Sequence, residues 1–171
     1  SLHDALPIYP SSYPTWTTTF TLSIPSTSTA VISAALLGGI SALTVDPDHH
    51  IIVTLNGTQI GDLKFDGMAY TILQMDVPAG VLNNYPEINT IEFYGPLDLG
   101  LKYELVYIDW IEIDYVNAFN AIENSLEFSY SQAGTWNYQV NGFTSNQVYA
   151  YDVTTPRSPV LFTGISMTGL G

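Results

Sequence analysis

Between Asp48 and Tyr115 the chain runs in short apolar–polar alternations broken by Asn-Gly, Asp-Gly and Pro. Alternation of period two places every second side chain on one face of a pleated strand. Asn-Gly suits a two-residue hairpin, because both central residues of a type I′ turn need positive φ. Such a stretch folds as antiparallel strands joined by tight turns, the pattern of a β-sandwich. Strands are predicted over residues 15–24, 30–37, 50–55, 58–63, 68–77, 88–94 and 102–115. The pair flanking Asn56-Gly57 forms a hairpin, and Asp66-Gly67 repeats the device. Residues 78–82 read as a loop or a short helical turn.

The 102–115 segment carries apolar residues on both parities. Tyr103, Leu105, Tyr107, Ile111 and Ile113 share one, and Val106, Ile108 and Trp110 the other. Apolar residues on both faces predict a central strand covered on both sides. The expected core contains Phe20, Leu22, Ile32, Val53, Leu55, Ile72, Phe93, Leu105 and Ile111.

Three divisions follow. Residues 1–14, with Pro7, Pro10 and Pro14, form an extended arm, since Pro fixes φ and removes a donor. Residues 15–116 form a jelly-roll-like antiparallel β-sandwich. Residues 117–171 form a smaller β unit, with short strands over 126–130, 135–140 and 147–153 and an apolar C-terminal tail. The fold class is all-β. The first eight residues, SLHDALPI, also resemble a translated sequencing adapter, so the natural N-terminus is expected to differ.

Charge narrows the partners. Lys and Arg number 3 against 16 Asp and Glu, for a net charge of −13. Phosphate binding needs a basic footprint, so nucleic acid and anionic lipid are not expected partners, and no apolar run is long enough to insert in a membrane as a helix. The absence of Cys rules out disulfides and thiolate chemistry in this sequence. Few charges and abundant Thr, Ser, Asn, Tyr and Gly point to an extracellular or cell-surface location.

Candidate sites are few. Asp46, Asp48 and His49 are the densest ligand-capable group, a calcium or other metal site, though Asp46-Pro47-Asp48 also makes an ordinary turn and His49 and His50 fall on opposite strand faces. Asp109, Glu112 and Asp114 share a strand and read most simply as solvated acids. Trp16, Trp110, Trp136 and the tyrosines could stack on sugar rings, making carbohydrate a possible partner, or could fill a core. Asn56-Gly57-Thr58 is a glycosylation sequon at Asn56, placed in the hairpin turn. No nucleophile elbow, metalloprotease or phosphate-loop motif is present.

A resemblance enters with the ordered motifs. Asp48-His49-His50, Leu55-Asn56-Gly57, Asp66-Gly67, Val77-Pro78-Ala79, Asn89-Thr90-Ile91, Val106-Tyr107-Ile108-Asp109-Trp110 and the later Tyr151-Asp152-Val153-Thr154-Thr155-Pro156 occur in series. The series is similar to the non-catalytic β-sandwich module ahead of the catalytic domain in gingipain-like (C25 family) peptidases. The resemblance implies a secreted, non-catalytic part. It carries over no active-site residue, because that family's His and Cys lie in another domain.

The leading expectation is therefore a non-catalytic secreted structural subunit. It would associate with other copies of itself by strand exchange, and that contact repeated head to tail would yield a filament. Leu6, Ile8, Tyr9 and Tyr13 on the N-terminal arm and Leu161, Ile165 and Met167 on the tail are the proposed contacts. The alternatives are an accessory domain of a gingipain-like peptidase and a carbohydrate-binding module.

Overall fold

The computed structural model describes residues 2–7, 15–23 and 30–168. It divides into two compact units, Ser1–Asn117 and Ala118–Gly171. The described residues contain strands and no helix.

The first unit holds β1 (Leu2–Pro7), β2 (Thr15–Phe20), β3 (Ala30–Gly38), β4 (His49–Leu55), β5 (Thr58–Phe65), β6 (Tyr70–Val77), β7 (Asn89–Tyr94) and β8 (Val106–Asp114). They form two four-stranded sheets, ordered β1-β8-β3-β6 and β2-β7-β4-β5. Each strand pair is antiparallel, and the pairs β1–β8, β2–β7, β3–β6 and β4–β5 nest inside one another. Such nesting is a long ribbon rolled on itself, a jelly-roll-like connectivity. One core joins the two sheets. It contains Ile32 and Leu36 of β3, Val53 and Leu55 of β4, Met75 of β6, Phe93 of β7 and Ile108 and Ile111 of β8.

Local rules account for the turns. Asn56 (φ 50°) and Gly57 (φ 79°) close the β4–β5 hairpin in left-handed conformation, as the Asn-Gly pair predicts. Asp66-Gly67 behaves differently. Gly67 also has positive φ (68°), but the chain there leaves one sheet for the other instead of making a hairpin. Residues 78–82 form a turn, with the Val81 amide bonded to the Pro78 carbonyl.

Three expectations need correction. First, Ile72 is 58% exposed, because β6 turns Leu73, Met75 and Val77 inward and Ile72 outward. Leu105 lies just before β8 and is only half-buried, as is Leu22. Second, β8 is not covered on two sides. Its pairing with β3 shifts between Ala35↔Trp110 and Leu36↔Ile108, so Asp109 is an extra, unpaired residue. A bulge of this kind reverses parity. Val106 and Ile108 before it and Ile111 after it all face one core, and Ile113 packs against it. Third, part of the N-terminal arm belongs to the first sheet, where β1 pairs with β8.

The second unit has little regular strand. Its ladder is β9 (Tyr151–Asp152) with β10 (Val160–Leu161). The strands expected over 126–130 and 135–140 do not form, and in the apolar C-terminal tail the described strand is Val160–Leu161. A unit this small buries a smaller share of its surface than a larger domain does. Its aromatic side chains pack on one another instead: Phe119 on Phe128 (centroids 4.7 Å), Phe128 on Tyr138 (5.0 Å) and Tyr130 on Trp136 (4.8 Å).

Candidate functional site

The Asp48–His50 group lies at the start of β4, where the chain enters the second sheet. Asp48 is buried, and its carboxylate accepts hydrogen bonds from the Ala42 amide (2.6 Å) and the Gly67 amide (2.7 Å). Burial pushes its pKa up, but those two amides and the nearby His49 outweigh that and hold it below the usual 3.8. His49 is fully buried and stacks on Phe65 at 4.6 Å. Its Nδ1 pairs with Glu104, and its Nε2 lies 3.3 Å from the Ile40 carbonyl oxygen. Burial favours its neutral form. The hydrogen bond and charge of Glu104, with the Ile40 carbonyl and Asp48, outweigh this and raise its pKa above 6.5. The pocket is tight, since a Cβ on Gly38 would lie 2.6 Å from His49 Nε2.

Glu104 links the rest. Its Oε1 also accepts from the Leu105 amide, and its Oε2 accepts from the His50 amide at 3.1 Å. The His50 ring bridges Asp98 (2.7 Å) and Asp62 (3.0 Å). Two successive histidines thus fasten the loop after β7 to β4 and β5.

This arrangement does not gather the expected metal ligands. Asp48 and His49 are engaged by protein groups, and Asp46 is exposed beside the Asp46–Pro47 turn. Among the described residues no group of three or more His, Asp or Glu is gathered as a metal-ligand cluster. Asn56 is also engaged. Its Nδ2 donates to the Val81 carbonyl (2.7 Å) and to Asn89 Oδ1 (2.9 Å), while its Oδ1 accepts from the Thr90 amide (2.8 Å). The nitrogen a glycan would occupy is thus tied into the hairpin in this structure.

Of the expected self-association residues, Leu6 lies in β1, in register with Ile108 of its own chain. Ile8, Tyr9 and Tyr13 lie outside the described residues. Leu161, Ile165 and Met167 are exposed.

A different surface concentrates chemistry. The face of the first sheet turned away from the core is laid out in register rows. Leu37 of β3 lies between Tyr70 of β6 and Tyr107 of β8, and Ala35 between Ile72 and Trp110. Next come Ser33 between Gln74 and Glu112, then Val31 between Asp76 and Asp114. Half the face is aromatic and aliphatic, and the other half polar and acidic. Tyr70 is 55% and Leu37 38% exposed, while Ala35 beneath its row partners is fully buried. Leu37, Tyr70, Tyr107 and Asp109 line a shallow hollow. The Trp110 indole N–H donates to the Tyr70 hydroxyl (3.2 Å), which donates to Asp109 Oδ2 (3.1 Å). This chain of bonds fixes both rings.

Sequence reasoning placed Asp109 and Trp110 on opposite faces of a regular strand. The bulge brings them to one face. The available signal was the spacing of Ile108 and Ile111, three residues where alternation requires two. Of the other sugar-stacking candidates, Trp16 packs edge-on against Phe93 in the core (5.7 Å), and Trp136 packs on Tyr130 within the second unit.

No protein-family model matches the chain, and no curated protein matches it. Solved structures similar to it are β-rich. Dimeric latent PorU from Porphyromonas gingivalis matches over 63% of this chain at 13% identity and a TM-score of 0.49. The chain spans 10% of that protein's length. The EclA C-terminal domain, a sugar-binding protein, matches over 67% of this chain and 79% of its own, at 8% identity and a TM-score of 0.45. A family 35 carbohydrate-binding module from an environmental isolate matches over 61% of this chain and 69% of its own, at 19% identity and a TM-score of 0.38.

Proposed function

We propose that this chain is a non-catalytic carbohydrate-binding module, an accessory part of a larger extracellular protein, and that it holds a neutral glycan on the outer face of the first sheet. One observation carries the reading: Leu37, Tyr70, Tyr107, Ile72 and Trp110 form adjoining apolar rows beside Asp109 on a solvent-facing sheet. The apolar face of a pyranose stacks on such rings, and its hydroxyls need acceptors nearby. Carboxylates are acceptors only. The chain's strong negative charge opposes anionic polysaccharides and leaves neutral ones free to approach.

The same face argues against catalysis. Asp109 and Glu112 stand exposed on an open sheet, whereas acid–base work on a glycosidic bond favours a closed, water-poor cleft. The motif series from Asp48 to Pro156 supports a place beside the catalytic domain of a gingipain-like peptidase. A second reading, association between copies, draws on the exposed Leu161, Phe162, Ile165 and Met167.

Affinity electrophoresis through gels containing neutral polysaccharides (β-glucan, xylan, mannan), with polygalacturonate as an anionic control, tests the main reading. The chain should be retarded by at least one neutral polymer and not by the anionic one. Tyr70→Ala and Trp110→Ala should each weaken binding about tenfold or more, equivalent to about 1.4 kcal/mol, with unchanged circular dichroism. Retardation that survives both substitutions, or none by any neutral polymer, overturns the reading. Sedimentation of the same samples at high concentration separates the second one, which requires dimers or larger species.

A further inference from the structure

The outer face owes its polar anchor to one inserted residue. Without Asp109, β8 would read Val106-Tyr107-Ile108-Trp110-Ile111-Glu112-Ile113, an unbroken alternation with every Val and Ile inward. With Asp109 present, the β3–β8 register shifts by one residue at that point, while the inward side chains stay inward. The insertion therefore does nothing for the core. What it does is place a carboxylate on the outer face beside Trp110, against Tyr70 and in the hollow with Leu37 and Tyr107. Bulges commonly re-aim a side chain in this way next to binding sites.

The carboxylate is exposed and only partly used. Ionised, it offers two oxygens and about four acceptor positions. The Tyr70 hydroxyl takes one, at Oδ2. Tyr70 in turn accepts from Trp110, so its own hydroxyl is engaged on both sides. Asp109 thus keeps acceptor capacity in the hollow. A carboxylate at the edge of a stacking surface matches two adjacent hydroxyls of one sugar ring, each donating to one oxygen.

Resting on the carbohydrate-binding reading above, we propose that Asp109 is the recognition residue of the site and accepts hydrogen bonds from a vicinal diol of a neutral pyranose stacked over Tyr70, Tyr107 and Leu37. The surrounding charge limits the ligand further. Glu112, Asp76 and Asp114 share this face, and the three cations of the chain are Lys64 on β5 of the other sheet, Lys102 in the segment before β8, and Arg157. Uronic or sulfated sugars would be repelled by these carboxylates.

The test compares the unaltered chain with Asp109→Ala, Asp109→Asn and a deletion of Asp109, using whichever neutral oligosaccharide binds in the gel screen and isothermal titration. Asp109→Ala and the deletion should each lose about tenfold or more in affinity, and Asp109→Asn, which keeps one acceptor oxygen, should fall between. The deletion restores regular alternation and should keep its sandwich spectrum. If it fails to fold, Asp109→Ala decides. Methyl glycosides lacking one hydroxyl of the diol should compete poorly against the unaltered chain and show no such deficit against Asp109→Ala. Native affinity in a folded Asp109→Ala overturns this inference and leaves the carbohydrate reading standing. Absence of binding by the unaltered chain to every neutral glycan overturns both.

Discussion

Glu104→Ala should lower the unfolding free energy by about 3–5 kcal/mol, the scale for removing one partner of a buried ion pair. That is a large share of the roughly 5–15 kcal/mol that holds a domain together. Glu104 is 4% exposed and is met by the His49 ring, the His50 amide and the Leu105 amide. Losing it strands all three in an interior that water does not reach. The variant should also change the pH profile. His49 has a raised pKa, so its contribution is fully present below about 6.5 and is lost as pH rises through its folded value. Asp48 has a lowered pKa, so its contribution is present above about 3.8 and is lost as pH falls through its folded value. The unaltered protein should therefore lose stability on the alkaline side of pH 6.5 and again on the acid side of 3.8. In Glu104→Ala the alkaline loss should shrink, because its main cause is gone. Urea titrations from pH 3 to 9 would show both. Equal midpoints for the two proteins at pH 6 would refute the account.

Phe93→Ala should cost about 3–5 kcal/mol, while Ile72→Ala should cost under about 1 kcal/mol. Both residues are expected in the core on alternation alone. Phe93 is fully buried between the sheets, with Trp16 against its ring edge, so its removal leaves a cavity that the surrounding strands cannot close. Ile72 lies on the outer face, where truncation exposes part of Ala35 and leaves the core intact. Thermal melts of the two variants would separate them by many degrees. Similar losses would mean that β6 sits in the opposite register to the one described.

Much of the fold was legible in local chemistry. Alternation located β2 to β8 to within a few residues, and Asn56-Gly57 specified a hairpin because few other pairs adopt positive φ twice in succession. The buried Ile32, Val53, Leu55 and Phe93 followed from parity. Composition alone opposed binding to phosphate polymers, since charge is independent of conformation. Parity failed where a neighbouring strand chose the face. Ile72 and Leu73 are both apolar, and only packing against the core decided that Leu73 points inward. The short runs after Leu126 carry β-forming side chains, yet a strand needs a partner and a surface to cover, and the second unit supplies neither over most of its length.

The candidate sites depended still more on tertiary structure. Asp48, His49 and His50 are adjacent in sequence, but Glu104 and Asp98 arrive from about fifty residues away and turn an apparent ligand cluster into an internal tie. The outer-face site draws Leu37, Tyr70 and Asp109 from three strands that meet only in the folded sheet. Sequence determines which side chains can alternate, turn or carry charge, because those properties are local. Which of them share a face is a matter of register between distant strands, and a single unpaired residue at Asp109 was enough to change it.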